Sequence, residues 1–193
     1  MNLPNKISLL RIALIPFFIF FYLAEFVPFG KLIATGILIL ACCTDAVDGY
    51  IARKYNMVTD LGKLLDPIAD KSFSVSALLL LVADQTIPAP YGVIVAIIIL
   101  MRDFIVNGLR QIAANKNYAL AADIWGKLKS IILDISLPLL FVLSYLFDIG
   151  YKFEGWVMYY GIFAYALLGI STLLGIYSAI NYIVKNRKVL AWM

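Results

Sequence analysis

Histidine is absent from the 193-residue chain. That removes the side chain best suited to proton transfer near neutral pH, and with it every imidazole metal site. Cysteine occurs only at the adjacent positions Cys42 and Cys43. Neighbours on a helix point about 100° apart, so a bridge between them is not expected and both read as small apolar side chains in an apolar run. Charge is scarce: 15% of residues are charged and 63% hydrophobic, with mean hydropathy +0.92. A soluble domain is roughly a quarter charged and half apolar. The composition therefore excludes an ordinary soluble fold and predicts an integral membrane protein with one domain, residues 1–193. The opening, with Lys6 and Arg11 before an apolar run, has no small-x-small cleavage site near Ala24. It reads as a retained first span rather than a signal peptide. Low-complexity tracts and internal repeats are also absent.

The apolar pattern predicts an all-α membrane protein of six transmembrane helices, at roughly 9–28, 32–53, 60–83, 91–112, 124–147 and 155–184. A short interfacial helix is expected before them, over about 1–8. Pro67 either opens the third helix or kinks it. Pro88 and Pro90 mark a turn, and the sixth segment is longer than one crossing needs. The Phe, Tyr and Trp side chains suit lipid contact and interfacial belts. With both termini cytoplasmic, fourteen of the sixteen Lys and Arg fall on the cytoplasmic side and only Lys31 and Lys152 on the other, a strong positive-inside asymmetry. The strictly uncharged runs in segments one, two, three and five are only about 12–13 residues, where a crossing takes about 20. The missing length holds charged residues at the cytoplasmic end: Asp45 and Asp48, then Asp66, Asp70 and Lys71, then Asp123, Lys127, Lys129 and Asp134. Segment four likewise ends in Arg102, Asp103 and Arg110. Charged groups at membrane depth face water or one another, which predicts a polar chamber open to the cytoplasm and to the inner leaflet.

Four carboxylates dominate that chamber. Asp45 and Asp48 are spaced i, i+3, and Asp66 and Asp70 i, i+4, so each pair shares a helix face. Two such faces would converge four acidic oxygens, which repel unless a divalent cation joins them. An all-oxygen donor set favours Mg²⁺, Mn²⁺ or Ca²⁺ over Zn²⁺. A single Asp at the centre of a membrane helix costs about 2.5–3.5 kcal/mol, and four sum to about 10–14 kcal/mol, comparable with a whole domain's stability. A solvated loop accounts for Arg53, Lys54 and Asp60 but not for four regularly spaced carboxylates with Gly49 and Gly62 at fixed offsets. A metal-bearing carboxylate cluster beside Arg and Lys suits a phosphorylated substrate. Gly49, Ala52 and Gly62 would let a nucleotide or sugar approach the helix backbone. Asp103 is expected to pair with a neighbouring Arg. Asp123 and Asp134 read as structural or loop charges, and Lys54, Lys116, Lys185, Arg187 and Lys188 as headgroup or topology charges.

Asp45-x2-Asp48-Gly49-x2-Ala52-Arg53-x8-Gly62-x3-Asp66-x3-Asp70 resembles, without departure, the signature of the CDP-alcohol phosphotransferase family, and the likeness extends over essentially the whole chain. That resemblance implies a six-helix membrane core and transfer of a substituted phosphoryl group from a CDP-linked donor to an alcohol, with release of CMP. It implies that Asp45, Asp48, Asp66 and Asp70 ligate one or two divalent ions, Mg²⁺ or Mn²⁺. It implies Asp70 as general base and a CDP site lined by Asp48, Gly49, Ala52, Arg53 and Gly62, and it points to a homodimer. The stretches from Asn5 to Arg11, Leu65 to Lys71, Arg102 to Arg110 and Gly126 to Ser130 are similar to the branch in which CDP-diacylglycerol reacts with glycerol 3-phosphate at the cell membrane. Asn107 stands where that branch is expected to carry Thr or Ser. An anionic acceptor gives the basic residues a task, with Arg110, Lys127 and Lys129 as the acceptor-phosphate clamp and Arg11 and Arg102 as further members. Other acceptors (serine, inositol phosphate, phosphatidylglycerol), an intramembrane prenyltransferase and a divalent-cation transporter are the alternatives.

Overall fold

Long apolar stretches leave the backbone one economical way to satisfy its own N–H and C=O groups, the helix. The computed structural model describes the backbone of residues 3–54, 60–115, 123–151 and 154–190, with side chains for all of these except 3–4, 46–54, 60–67, 70, 111, 114–115 and 188–190. Six helices follow one another: α1 (Leu3–Leu23), α2 (Gly30–Lys54), α3 (Asp60–Ala83), α4 (Tyr91–Asn115), α5 (Ile124–Asp148) and α6 (Gly155–Leu190). No strand occurs among the described residues.

The helices lie where hydropathy places them, with instructive differences. The separate interfacial helix expected near the N-terminus is instead the first part of α1, which runs unbroken from Leu3 and carries Pro16 inside it. Position 67 falls in the body of α3, so it does not open that helix. Among the described residues, four helices are long and apolar enough to cross a membrane, over Asn5–Leu23, Tyr91–Arg110, Ile124–Asp148 and Gly155–Arg187. The apolar part of α3, Lys71–Ala83, is shorter. Helix α6 has 36 residues, about 54 Å at ~1.5 Å per residue, well beyond a hydrocarbon core of about 30 Å.

Packing turns the apolar surface inside out relative to a soluble bundle. Leu10, Phe17, Leu40, Phe104 and Leu173 are exposed, as lipid contact requires. The interior is built by α1, α3 and α5 around Phe18, whose ring stacks on Phe141 at 5.4 Å and meets Phe73 at 5.5 Å. Leu38, Leu78, Leu81, Leu137 and Leu140 close around these rings. Helix α5 lies along α6 and α2, α1 along α2 and α3, and α4 spans from α3 to α6. The α1–α2 turn is tight enough that a Cβ at Gly30 would collide with the backbone carbonyl of Phe21.

At the end of the bundle away from the acidic motif, a polar knot ties α1, α2, α3 and α5. Asp84 accepts hydrogen bonds from the Tyr22 hydroxyl, from Ser144 at 2.5 Å, from Lys31 at 3.1 Å and from the Thr86 N–H at 2.9 Å. Lys31 also pairs with Asp148 at 2.8 Å and lies over the Tyr22 ring. Burial pushes the Asp84 carboxyl upward, but the hydrogen bonds from Ser144, Tyr22 and Thr86 outweigh it, and the net effect holds the group below its ordinary value of 3.8. A depressed carboxylate stabilises the fold fully above its unfolded value and loses that contribution as pH falls through the folded one. Asp84→Ala is therefore expected to cost about 2 kcal/mol near neutral pH. Thermal unfolding in detergent should show the gap to the parent protein narrowing below pH 3.8.

Candidate active site

Helices α2 and α3 run without interruption through the acidic motif. The i, i+3 spacing of Asp45 and Asp48 and the i, i+4 spacing of Asp66 and Asp70 are thus realised on helical backbone, each pair on one face. The side chains of Asp48, Gly49, Ala52, Arg53, Gly62, Asp66 and Asp70 lie outside the described residues. Among the described residues no group of three or more His, Cys, Asp or Glu could hold a metal ion. Asp45 is described, and it receives Arg11, whose guanidinium NH1 donates to it at 2.5 Å. Arg11 is buried, and a buried guanidinium needs an opposite charge. The pair faces a small cavity that Ser74 and Asp134 also line. Arg11, expected among the acceptor cations, therefore sits at the carboxylate edge of the site.

The basic wall is organised around Asp103 on α4. Its carboxylate receives Lys129 Nζ at 3.1 Å on both oxygens, Arg102 at 3.0 Å and Lys71 at 3.4 Å. The expected Arg partner is present, and two lysines join it. Lys129 is fully buried and Asp103 nearly so. The lysine stem passes α6 at Gly175, and Ser171 donates to the Lys129 carbonyl at 3.0 Å.

Arg102 is held from its other side as well. Its NH2 donates to the Ser178 hydroxyl of α6 and lies 3.6 Å from Asp123. Asp123 is the N-cap of α5 and accepts from the Gly126 N–H at 3.0 Å, so its structural reading holds with a mechanism. Among the described residues, Lys71, Arg102 and Lys129 thus meet Asp103 and Asp123. Of the other cations expected in the clamp, Arg110 lies over the Tyr182 ring at 5.4 Å and Lys127 is exposed. A cavity of about 480 Å³ between α3 and α4, lined by Lys71, Ser72, Asp103 and Asn107 with apolar neighbours, opens beside Asp103.

Sequence reasoning overlooked α6 as a contributor. Ser171, Gly175, Ser178, Tyr182 and Asn186 recur every three or four residues along an otherwise apolar helix. That stripe of small and polar residues is the signal that marks a face turned to a polar neighbour.

The fold is one of long apolar helices, with an acidic motif on two consecutive helices and basic side chains gathered at Asp103. The chain belongs to the CDP-alcohol phosphatidyltransferase family, whose sequence model matches residues 1–177. Similar proteins share its length. It is 44% identical over 140 residues (67% of this chain, 70% of the relative) to a CDP-diacylglycerol–glycerol-3-phosphate 3-phosphatidyltransferase of Bacillus subtilis. It is 36% identical over 191 residues, 94% of this chain and 91% of the relative, to the protein of that name in Haemophilus influenzae. The Rickettsia felis protein of that name is 33% identical over 188 residues, 97% of this chain and 96% of the relative.

Because Asp103 serves three cations, its loss strands a fully buried lysine, whereas loss of Lys129 leaves Asp103 with two partners. Asp103→Ala is expected to cost about 3–5 kcal/mol, and Lys129→Met clearly less. Thermal unfolding of the two variants in the same detergent checks the order.

Proposed function

We propose that this protein transfers the phosphatidyl group of CDP-diacylglycerol to glycerol 3-phosphate, giving phosphatidylglycerol phosphate and CMP. The observation that carries the reading is the gathering of Lys71, Arg102 and Lys129 at Asp103, a basic wall that suits an acceptor bearing a phosphate. A choline or ethanolamine acceptor would bring a cation to the same wall, and serine would need less positive charge. The relatives of matching length, named for this reaction, support the same acceptor.

The acidic motif fits a divalent ion by donor chemistry, four carboxylates on two helices. Asp45, Asp48, Asp66 and Asp70 would hold one or two Mg²⁺ or Mn²⁺ ions. The ion supplies charge neutralisation at the donor diphosphate and its alignment for in-line displacement. The chain's own residues do the rest. Gly49, Ala52 and Gly62 let the CDP group lie close to the backbone, with Asp48 and Arg53 beside it. Arg102 and Arg110 receive the acceptor phosphate, and Lys129, buried on Asp103, fixes the wall behind them. Arg11 neutralises Asp45 from the protein side. Asp70 takes the proton of the acceptor's primary hydroxyl as its oxygen bonds the lipid-side phosphorus, and the bond from that phosphorus to the CMP oxygen breaks. The acyl chains remain in the inner leaflet throughout.

In this reading all six helices cross the membrane as one domain, including α2 and α3, whose charged ends line the cytoplasmic chamber. Both termini are cytoplasmic, and the protein resides in the cell membrane as a homodimer to which the long α6 contributes.

Purified protein in detergent with Mg²⁺ or Mn²⁺ should release CMP from labelled CDP-diacylglycerol when glycerol 3-phosphate is offered, and not with serine, inositol or inositol phosphate. Asp66→Ala should abolish release, and Lys129→Ala should weaken it. Release with another acceptor would overturn the acceptor assignment. Metal uptake into proteoliposomes without CMP release would overturn the enzymatic reading of the site.

A further inference from the structure

Arg102 occupies a seat built by three helices, and most of that seat comes from residues with no assigned role. Helix α5 begins beneath the guanidinium, where a Cβ at Gly126 would collide with Arg102 NH2. A cation at a helix N-terminus is unfavourable by itself. Asp123 offsets this: its Oδ2 caps α5 through the Gly126 N–H and lies 3.6 Å from Arg102 NH2. Ser178, on α6, closes the arrangement. Its hydroxyl accepts from Arg102 NH2 and donates to Asp123 Oδ2, so one fully buried hydroxyl is fixed in both senses. With NH1 on Asp103 and NH2 on Ser178, the guanidinium is held at two of its three nitrogens. Its Nε is buried and has no hydrogen-bond partner among the described residues. A guanidinium fixed by two neighbours keeps one orientation, which suits recognition of an anion.

We propose that Ser178 and Asp123 are positioning residues for the acceptor phosphate: they clamp NH2 of Arg102, and Gly126 leaves the room, so that the guanidinium is held in one orientation at the acceptor site. This rests on the reading of Arg102 as part of the acceptor clamp. It brings α6 into recognition of the acceptor, and it separates Arg102, held rigidly on both sides, from the exposed Lys127.

The test is a double-mutant cycle in purified protein. It is read as KM and kcat for glycerol 3-phosphate, as KM for CDP-diacylglycerol, and as the calorimetric Kd for glycerol 3-phosphate without donor. Ser178→Ala should raise KM and Kd for glycerol 3-phosphate about tenfold, leave kcat and the KM for CDP-diacylglycerol within about twofold, and lose its effect when Arg102→Ala is already present. Ser178→Thr keeps the hydroxyl and should restore the parent values. Gly126→Ala should reproduce the Ser178→Ala defect by crowding NH2. A Ser178→Ala penalty of equal size with and without Arg102 would overturn the proposal, as would a loss confined to kcat or to the donor, or no change at all. The parent protein is the separate control. If it releases CMP only with a different anionic acceptor, the acceptor assignment has failed, and the same cycle on that acceptor still decides the seat. If it binds neither glycerol 3-phosphate nor inorganic phosphate, Arg102 has no phosphate to meet and the seat proposal fails.

Discussion

The carboxylate of Asp103 lets three cations exist inside an apolar bundle. A charged side chain removed from water costs several kcal/mol even after relaxation, and Lys129 has no access to solvent at all. One anion placed between α3, α4 and α5 lowers that cost for Lys71, Arg102 and Lys129 together. Among the described residues, that one carboxylate gathers basic side chains from three helices in one place.

The two ends of the bundle treat charge differently. At the far end, Asp84 is enclosed by Tyr22, Ser144, Lys31 and the Thr86 N–H, and Lys31 has a second carboxylate in Asp148. One lysine between two carboxylates fastens helix ends together there. At the other end, Arg11 meets Asp45, and Asp103 gathers cations from α3, α4 and α5. The same residue types thus join different helices at the two ends.

The helices were legible because apolar length is a one-dimensional property. The predicted spans 60–83 and 124–147 meet α3 and α5 to within a residue. The start of α1 was not legible. Helix α1 continues from Leu3 through the polar opening into the span, Pro16 included, so the opening stays in register with the span. The acidic motif was legible from spacing alone, since i, i+3 and i, i+4 have meaning on any helix. The partners of the basic residues were not. Lys127 and Lys129 are two apart and so point to different sides of α5, but nothing local says which side is the interior. Asp103 was expected to have a neighbouring Arg, and its lysines from α3 and α5 came only with packing.

Composition and periodicity by themselves determined that this is an all-helical membrane protein with a carboxylate motif on two consecutive helices, because those properties follow from residue type and from distance along the chain. Tertiary structure alone decided that Lys129 is buried on Asp103 while Lys127 is exposed, that Arg11 faces Asp45, and that Ser178 of α6 reaches Arg102. Those pairings join residues 26 to 76 positions apart. Close packing of helix faces brings them together, and the cost of leaving any buried charge alone selects the arrangement in which each finds a partner.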